Sequence, residues 1–139
     1  MRLFFYGTLM DRDVLSLVLE RPVAATPLVP ATLRGYRRAR ASGVSYPIVL
    51  RDRAATVDGV VVDRLLDPDV AKLSAYEGAG YRLVRATADV AGAGPRGVQI
   101  FVPAPGAFTP VAGEWSLEDW RAKDKDAFLA RLRRRPEAR

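Results

Sequence analysis

The order of strand and helix candidates is the feature of this sequence that most constrains its fold. Six segments are apolar or aromatic enough to favour strands: residues 2–7, 29–40, 48–51, 56–66, 81–90 and 98–103. Short connections join most of them, but the helical pattern of residues 11–20 follows the first strand directly. A helix at that point argues against a purely antiparallel meander. We therefore predict an α+β fold, a small mixed β-barrel or strongly curled sheet with flanking helices.

The 139 residues predict a single domain spanning 1–139. We divide it into a core, a linker rich in proline and glycine, and a C-terminal helix, over residues 1–103, 104–114 and 115–135. Ser116, with an acid three residues later, has the pattern of a capping box. Trp120, Phe128 and Leu132 are spaced by multiples of four, so we expect this helix to dock on the core.

Two residue types are missing, and their absence excludes several kinds of catalytic and cross-linking chemistry. The chain contains no cysteine and no histidine, which excludes disulfides, thiolate chemistry, histidine bases and Ser-His-Asp triads. No group of carboxylates resembles a calcium or magnesium loop, so we expect neither a metal nor a cofactor. No apolar run is long enough to span a membrane, the N-terminus does not have the pattern of a signal peptide, and we expect a cytoplasmic location.

The stretch "LDPDVAKLSAYEGAGY" places an acid where local rules disfavour one. Asp67 followed by proline predicts a helix N-cap, and Gly78 predicts its end. Val70, Leu73 and Glu77 then share one helical face, so Glu77 lies on the core side of the last turn. Burial and the helix dipole would both raise its pKa and suit it to general acid–base catalysis. The alternative is a glutamate bent outward or paired with Arg82 or Arg85.

A second group of candidate residues surrounds the end of the first strand. Gly7 and Thr8 end that strand, where backbone amides could hold a carboxylate or an oxyanion, although such a pair is also an ordinary turn. The tyrosines that could bind substrate through their hydroxyls, or simply pack in the core, are Tyr6, Tyr46, Tyr76 and Tyr81. Tyr81 is placed to reach the pocket of Glu77, whereas Tyr76 is expected to point elsewhere.

The net charge of +6 resides mainly in the C-terminal tail. Residues 121–139 contain eight lysines and arginines and three acids, a net charge of +5, so the rest of the chain carries +1. Such a tail is usually a solvated helix end, and nucleic-acid binding is the less favoured interpretation because no aromatic residues separate the arginines. We therefore expect no nucleic-acid partner.

The sequence resembles the gamma-glutamylcyclotransferase-like family. The resemblance rests on "YGTL" at the end of the first strand, "YP" before a short strand, and "LDPDVAKLSAYEGAGYRLVRA" about seventy residues later. It extends from residue 2 to about residue 103, and "EWSLEDW" is similar to the end of many bacterial members.

The resemblance implies a mixed barrel and a cofactor-free reaction in which a γ-glutamyl amide cyclises to 5-oxoproline and releases an amine. It also implies that Glu77 is the acid–base catalyst and that Tyr6, Gly7, Thr8 and Leu9 hold the glutamyl group. Tyr46 and Tyr81 are further substrate-binding candidates. The alternative of another class is a module that binds a γ-glutamyl or carboxylate metabolite without turnover. The leaving amine and the oligomeric state stay open.

Overall fold

The computed structural model describes residues 1–134 of the chain. Its strands are β1 (Leu3–Phe5), β2 (Val29–Ala41), β3 (Pro47–Val62), β4 (Tyr81–Val90), β5 (Gly94–Pro103) and β6 (Pro110–Val111). Its helices are α1 (Arg12–Leu19), α2 (Asp67–Glu77), α3 (Leu117–Lys123) and α4 (Lys125–Arg134), and a 3₁₀ turn covers Thr8–Met10. None of the helices in this described part is long and apolar enough to cross a membrane.

The strands form a closed mixed barrel, as predicted. Their order is β3-β1-β5-β4-β2, a pairing between β2 and β3 closes the ring, and β6 extends the edge of β2. β1 runs parallel to β5 and antiparallel to β3, and the other neighbours are antiparallel. The helix that follows β1 makes this parallel pairing possible, because the chain leaves β1 without a hairpin.

The strand boundaries differ from the prediction in one instructive place. Two separate strands were predicted over residues 48–51 and 56–66, but β3 is continuous from Pro47 to Val62. Its register with β2 shifts between Arg34 and Tyr36, where Gly35 adopts a φ of +86°. Residues 52–55, which the prediction left between the two strands, lie at this shift, where extra residues of β3 bend the strand without ending it.

The apolar core of residues 1–134 has three parts, two of which lie on opposite faces of the barrel wall. Phe4, Leu33 and Ile100 belong to the part inside the barrel. Leu3 and Phe5 belong to the part between the barrel and the helices. Because successive residues of a strand face opposite sides, the three residues of β1 serve both parts.

Within the described residues, the C-terminal region contains two helices, where a single one over 115–135 was predicted; residue 135 lies outside the described part. They meet at Asp124, whose backbone carbonyl accepts the first hydrogen bond of α4, 3.0 Å from the nitrogen of Phe128. A short polar residue of this kind favours a helix start over a helix interior. The predicted cap is confirmed, since Ser116 Oγ accepts a hydrogen bond from the Asp119 N–H at 3.1 Å. Trp120 is buried in the core beneath these helices, as expected.

Candidate active site

Helix α2 positions the acid on which the candidate site depends. Its first residue is Asp67, one position earlier than predicted, and its cap is Leu66, whose N–H donates to Asp69 Oδ2 at 3.2 Å. Its predicted end is confirmed, since Gly78 adopts a φ of +80°, in the left-handed region that glycine tolerates best. Because the helix runs from Asp67 to the residue before Gly78, Glu77 lies in its last turn.

The side chain of Glu77 faces inward, on the face that the helical spacing predicted. Leu73 on the same face is fully buried, and Glu77 is partly buried and lines a cavity. Among residues 1–134, no lysine or arginine lies within ion-pair distance of its carboxylate, so pairing with Arg82 or Arg85 is not observed. Burial therefore acts uncompensated on the carboxyl group and raises the pKa of Glu77 to about 8.

The cavity beside Glu77 has a volume of about 200 Å³ and opens where β1 ends. Its polar lining comes from the turn after β1, the last turn of α2 and the start of β4, namely Tyr6, Thr8, Tyr76, Glu77 and Tyr81, with Tyr46 ahead of β3. Gly7, Leu9, Pro47, Phe101 and Phe128 are among the other lining residues. The cavity thus contains one ionisable carboxyl group, several phenol hydroxyls and apolar walls.

The turn that follows β1 is held directly against α2. Thr8 is buried, and its Oγ1 lies 2.9 Å from the hydroxyl oxygen of Tyr76 in a hydrogen bond. Tyr76 was predicted to point away from the site, and this prediction is wrong because the cavity wraps around the last turn of α2. A side chain at Gly7 would place its Cβ 3.1 Å from the Pro47 ring, so glycine permits the close approach of β3 at this point.

Three tyrosines surround the Glu77 carboxyl group with different hydrogen-bonding freedom. Tyr6 is buried, and its hydroxyl donates to the Phe101 carbonyl oxygen at 2.6 Å, so its proton is engaged within the barrel wall. Burial raises the pKa values of Tyr46 and Tyr81, and the negative charge of Glu77 raises both further. Both phenols therefore stay protonated near neutral pH and can act as hydrogen-bond donors.

Phe128 is a lining residue that sequence reasoning did not assign to the site. Its spacing with Trp120 predicted a docked helix, and the two rings do pack edge to face with centroids 5.3 Å apart. What the spacing could not reveal is that α4 places Phe128 over the Glu77 cavity. Leu9, a predicted binding residue, is buried in the core and reaches the cavity only as part of its wall.

The barrel and its acid-bearing cavity define a protein of the cyclotransferase-like fold. A solved gamma-glutamyl cyclotransferase superimposes with a TM-score of 0.65 over 78% of this chain and 68% of that one, at 11% identity, a likeness of fold alone. The family model described as "Gamma-glutamyl cyclotransferase, AIG2-like" matches residues 3–122. The chain belongs to this family.

Similar proteins come from Arabidopsis thaliana. AIG2-like protein C is 31% identical over 146 residues, covering 99% of this chain and 82% of the relative. Protein AIG2 C is 27% identical over 134 residues, covering 94% of this chain and 78% of the relative. An Arabidopsis protein solved in solution is 27% identical, with a TM-score of 0.69 over 98% of this chain and 94% of that one.

Proposed function

We propose that this protein is a gamma-glutamyl cyclotransferase-type enzyme, which converts a γ-glutamyl amide into 5-oxoproline and a free amine. The observation that carries the proposal is a partly buried glutamate with no ion-pair partner among residues 1–134 and a pKa of about 8, in a cavity lined by the Tyr-Gly-Thr-Leu turn. A carboxyl group titrating near neutral pH can both accept and return a proton. The cysteine-free composition suits an enzyme of the cytoplasm.

In the proposed reaction, Glu77 is the acid–base catalyst. Its carboxylate takes a proton from the substrate α-ammonium, and the freed amine attacks the γ-carbonyl carbon of the same molecule. A carbon–nitrogen bond forms in the five-membered ring, and Glu77 returns its proton to the leaving nitrogen as the bond to that nitrogen breaks. The ring nitrogen gives up its second proton to the released amine, so the products are the lactam and an ammonium ion. The step needs no water, oxidant or protein nucleophile, and its main requirement is a bent substrate conformer.

The cavity favours the charge pattern of this substrate. The α-ammonium would supply the cation that residues 1–134 do not place beside Glu77, and a positive charge within a few ångströms favours the ionised carboxyl group. Substrate binding would therefore lower the pKa of Glu77 and prepare it to act as a base. Tyr46 and Tyr81 would donate hydrogen bonds to the carbonyl or carboxylate oxygens of the glutamyl group.

The turn after β1 would supply the other half of substrate recognition. Gly7, Thr8 and Leu9 line the cavity, and the hydrogen bond between Thr8 and Tyr76 fixes the turn relative to Glu77. A fixed distance between the binding turn and the catalytic acid is what an intramolecular cyclisation requires, because orientation supplies most of its rate. A cavity of about 200 Å³ is smaller than the roughly 300–1,000 Å³ typical of sites for drug-sized ligands, which suits a glutamyl group.

The test is release of 5-oxoproline from γ-glutamyl amino acids and γ-glutamyl amines, with Glu77→Gln alongside the wild type. We expect Glu77→Gln to lower kcat/KM by at least ~10²-fold, because general acid–base catalysis contributes roughly that much or more. The wild-type kcat/KM should rise with pH, reach half of its maximum near pH 8 and level off about one pH unit higher, since the base must be ionised.

Arg53→Gln is the matched control, since Arg53 is exposed on β3 and outside the cavity lining. A Glu77→Gln enzyme that keeps a tenth of the activity would contradict the assignment of the catalyst. If no compound yields 5-oxoproline but the compounds raise the melting temperature, the protein is a module that binds these ligands without turnover, and the enzyme proposal is wrong.

A further inference from the structure

A second cavity lies next to the Glu77 cavity, and β3, β4 and β5 contribute residues to the lining of both. It forms because β2 and β4 pair only at Ala31–Leu33 and Ala88–Val90, after which β2 follows β3 away from β4. The gap leads towards the inside of the barrel and has a volume of about 490 Å³, within the range of small-molecule sites. We call it the arginine cavity, after Arg51, Arg82 and Arg85 in its lining.

The arginine cavity is strongly and uniformly positive. Its lining contains no aspartate or glutamate, and none of its three arginines forms an ion pair with a residue in the range 1–134. Arg51 lies over the ring of Tyr36, 5.3 Å from its centroid, and donates to its hydroxyl at 3.1 Å. Like charges gathered at one concave surface repel one another and raise the local concentration of anions.

Apart from Tyr36, the other lining side chains are apolar, which indicates an organic ligand and not a bare ion. Val84, Val102 and Phe108 contribute the hydrophobic surface. Guanidinium groups bind carboxylates and phosphates through paired hydrogen bonds, and an apolar wall would cover the carbon skeleton that carries those groups. Three cationic side chains would balance two or more negative charges.

The two cavities are separate but share a wall. Consecutive residues of three strands line opposite cavities, namely Pro47 and Ile48, Tyr81 and Arg82, and Phe101 and Val102. Phe108 lines the arginine cavity and packs on Tyr81, with centroids 5.1 Å apart. Glu77 does not line the arginine cavity, so a ligand among the arginines would not lie beside it.

We infer that the arginine cavity is a second binding site, for a small organic anion with at least two negative charges. Neither the family nor the proposed reaction assigns a function to this cavity, and the inference does not depend on that reaction. Carboxylate and phosphate ligands share the required chemistry, so the experiment must distinguish between them.

The test is calorimetric titration of the full chain at 0.15 M salt with citrate and, separately, with fructose 1,6-bisphosphate. We expect saturable binding of one molecule per chain by at least one probe, and the better probe identifies the carboxylate or phosphate class. The double variant Arg82→Gln/Arg85→Gln should weaken this binding by at least tenfold. Both side chains are exposed, so we expect the variant to fold.

Three comparisons complete the design. Arg131→Gln/Arg133→Gln removes the same charge from the exposed face of α4 and should leave binding unchanged, as should Glu77→Gln. Equal weakening by the α4 variant would assign the binding to general surface charge, and a change caused by Glu77→Gln alone would assign it to the other cavity; either result would overturn the inference. No saturable binding of either probe would overturn the inference. Shifts of the wild-type amide NMR signals at Arg82 and Val84 locate the ligand without any variant.

Discussion

Glu77 is a carboxyl group kept in surroundings that favour its protonated form. Burial removes water from the carboxylate without supplying a cation within residues 1–134, and the C-terminal end of α2 adds partial negative charge. A glutamate exposed at the surface and away from a helix C-terminus would keep its water and would not meet this partial negative charge. The same surroundings raise its pKa towards neutral pH, where a proton can be taken up and released.

Because ionising the buried Glu77 destabilises the folded protein, we expect Glu77→Gln to stabilise the protein at high pH. Below pH ~4.5 both the folded and the unfolded chain hold the proton on Glu77, so its charge costs nothing. As the pH rises through the window up to about 8, the unfolded chain releases a proton that the folded chain retains, and wild-type stability falls. Glutamine removes this slope, so the variant should gain about 1–3 kcal/mol relative to wild type between pH 5 and pH 9.

Urea unfolding at the two pH values measures this difference. Arg53→Gln, which alters an exposed residue of β3, should follow the wild-type pH dependence. Parallel pH profiles for wild type and Glu77→Gln would mean that the carboxyl group is hydrated in the folded protein. That result would also remove the electrostatic basis for its proposed role.

Helix geometry explains why the direction of the Glu77 side chain was predicted correctly and that of its neighbour Tyr76 was not. Helical spacing fixes which residues share a face, so Val70 and Leu73 predicted the direction of Glu77. The next residue along a helix is turned by ~100°, so Tyr76 was assigned to another direction. Its hydrogen bond to Thr8 depends on where the chain returns after β1, which no local pattern encodes.

Among the elements, α1, α3 and α4 are joined at one buried carboxylate. Asp11 caps α1 by accepting from the Val14 N–H at 3.2 Å, and its other oxygen accepts from Arg121 Nε at 2.8 Å and pairs with Lys125 at 3.0 Å. Burial alone would raise the pKa of Asp11, but the hydrogen bonds from Arg121 and Lys125 outweigh it and lower the pKa. Asp11 follows the turn that lines the Glu77 cavity, so it connects that turn to the C-terminal helices.

Asp11→Ala should therefore destabilise the protein by about 2–4 kcal/mol, through loss of the helix cap and of the buried charge partner. Asp11→Asn retains an acceptor for the cap and should cost less, about 1–2 kcal/mol. Because the pKa of Asp11 is lowered in the folded chain, its contribution is present above pH ~3.8 and is lost as the pH falls through the folded pKa. Urea unfolding of both variants at pH 7 measures the difference, and equal costs would mean that the helix cap contributes nothing and that the loss comes from the pairing with Arg121 and Lys125.

The predicted element boundaries were correct where adjacent residues determine them and wrong where distant parts of the chain do. Gly78 and Ser116 carry their signals in the adjoining residues, and both predicted helix ends were confirmed. The continuity of β3 and the break at Asp124 were missed. The first depends on pairing with β2, and the second on how α4 docks on the core, so both are decided by distant parts of the chain.

For the whole molecule, closure of the barrel depends on one close approach between β1 and β3. A Cβ at Gly59 would lie 2.3 Å from the Phe5 carbonyl oxygen and 2.6 Å from the Phe4 ring. Neither the backbone oxygen nor the buried ring can move without displacing β1. Since the residues after β1 line the Glu77 cavity, the position of the cavity depends on this contact.

Gly59→Ala should accordingly destabilise the fold by about 3 kcal/mol, at the upper end of the cost of overpacking. Gly97→Ala is the matched control, because Gly97 lies in β5 and a methyl group added there would have no heavy atom within 4 Å. We expect that control to change stability by less than ~0.5 kcal/mol. Urea unfolding at pH 7 compares the two, and similar costs would show that β1 can shift freely.

The position of Phe128 has a consequence for how proteins of this kind diversify. The residues proposed to carry out the chemistry all lie within the span 3–122 that matches the family model, whereas one wall of their cavity comes from beyond it. Substitutions in α4 can thus reshape the mouth of the cavity while the reacting groups stay in place. In the proposed enzyme, residues that shape the cavity and residues that react would lie in different stretches of the chain, so the first could change in evolution without rebuilding the second.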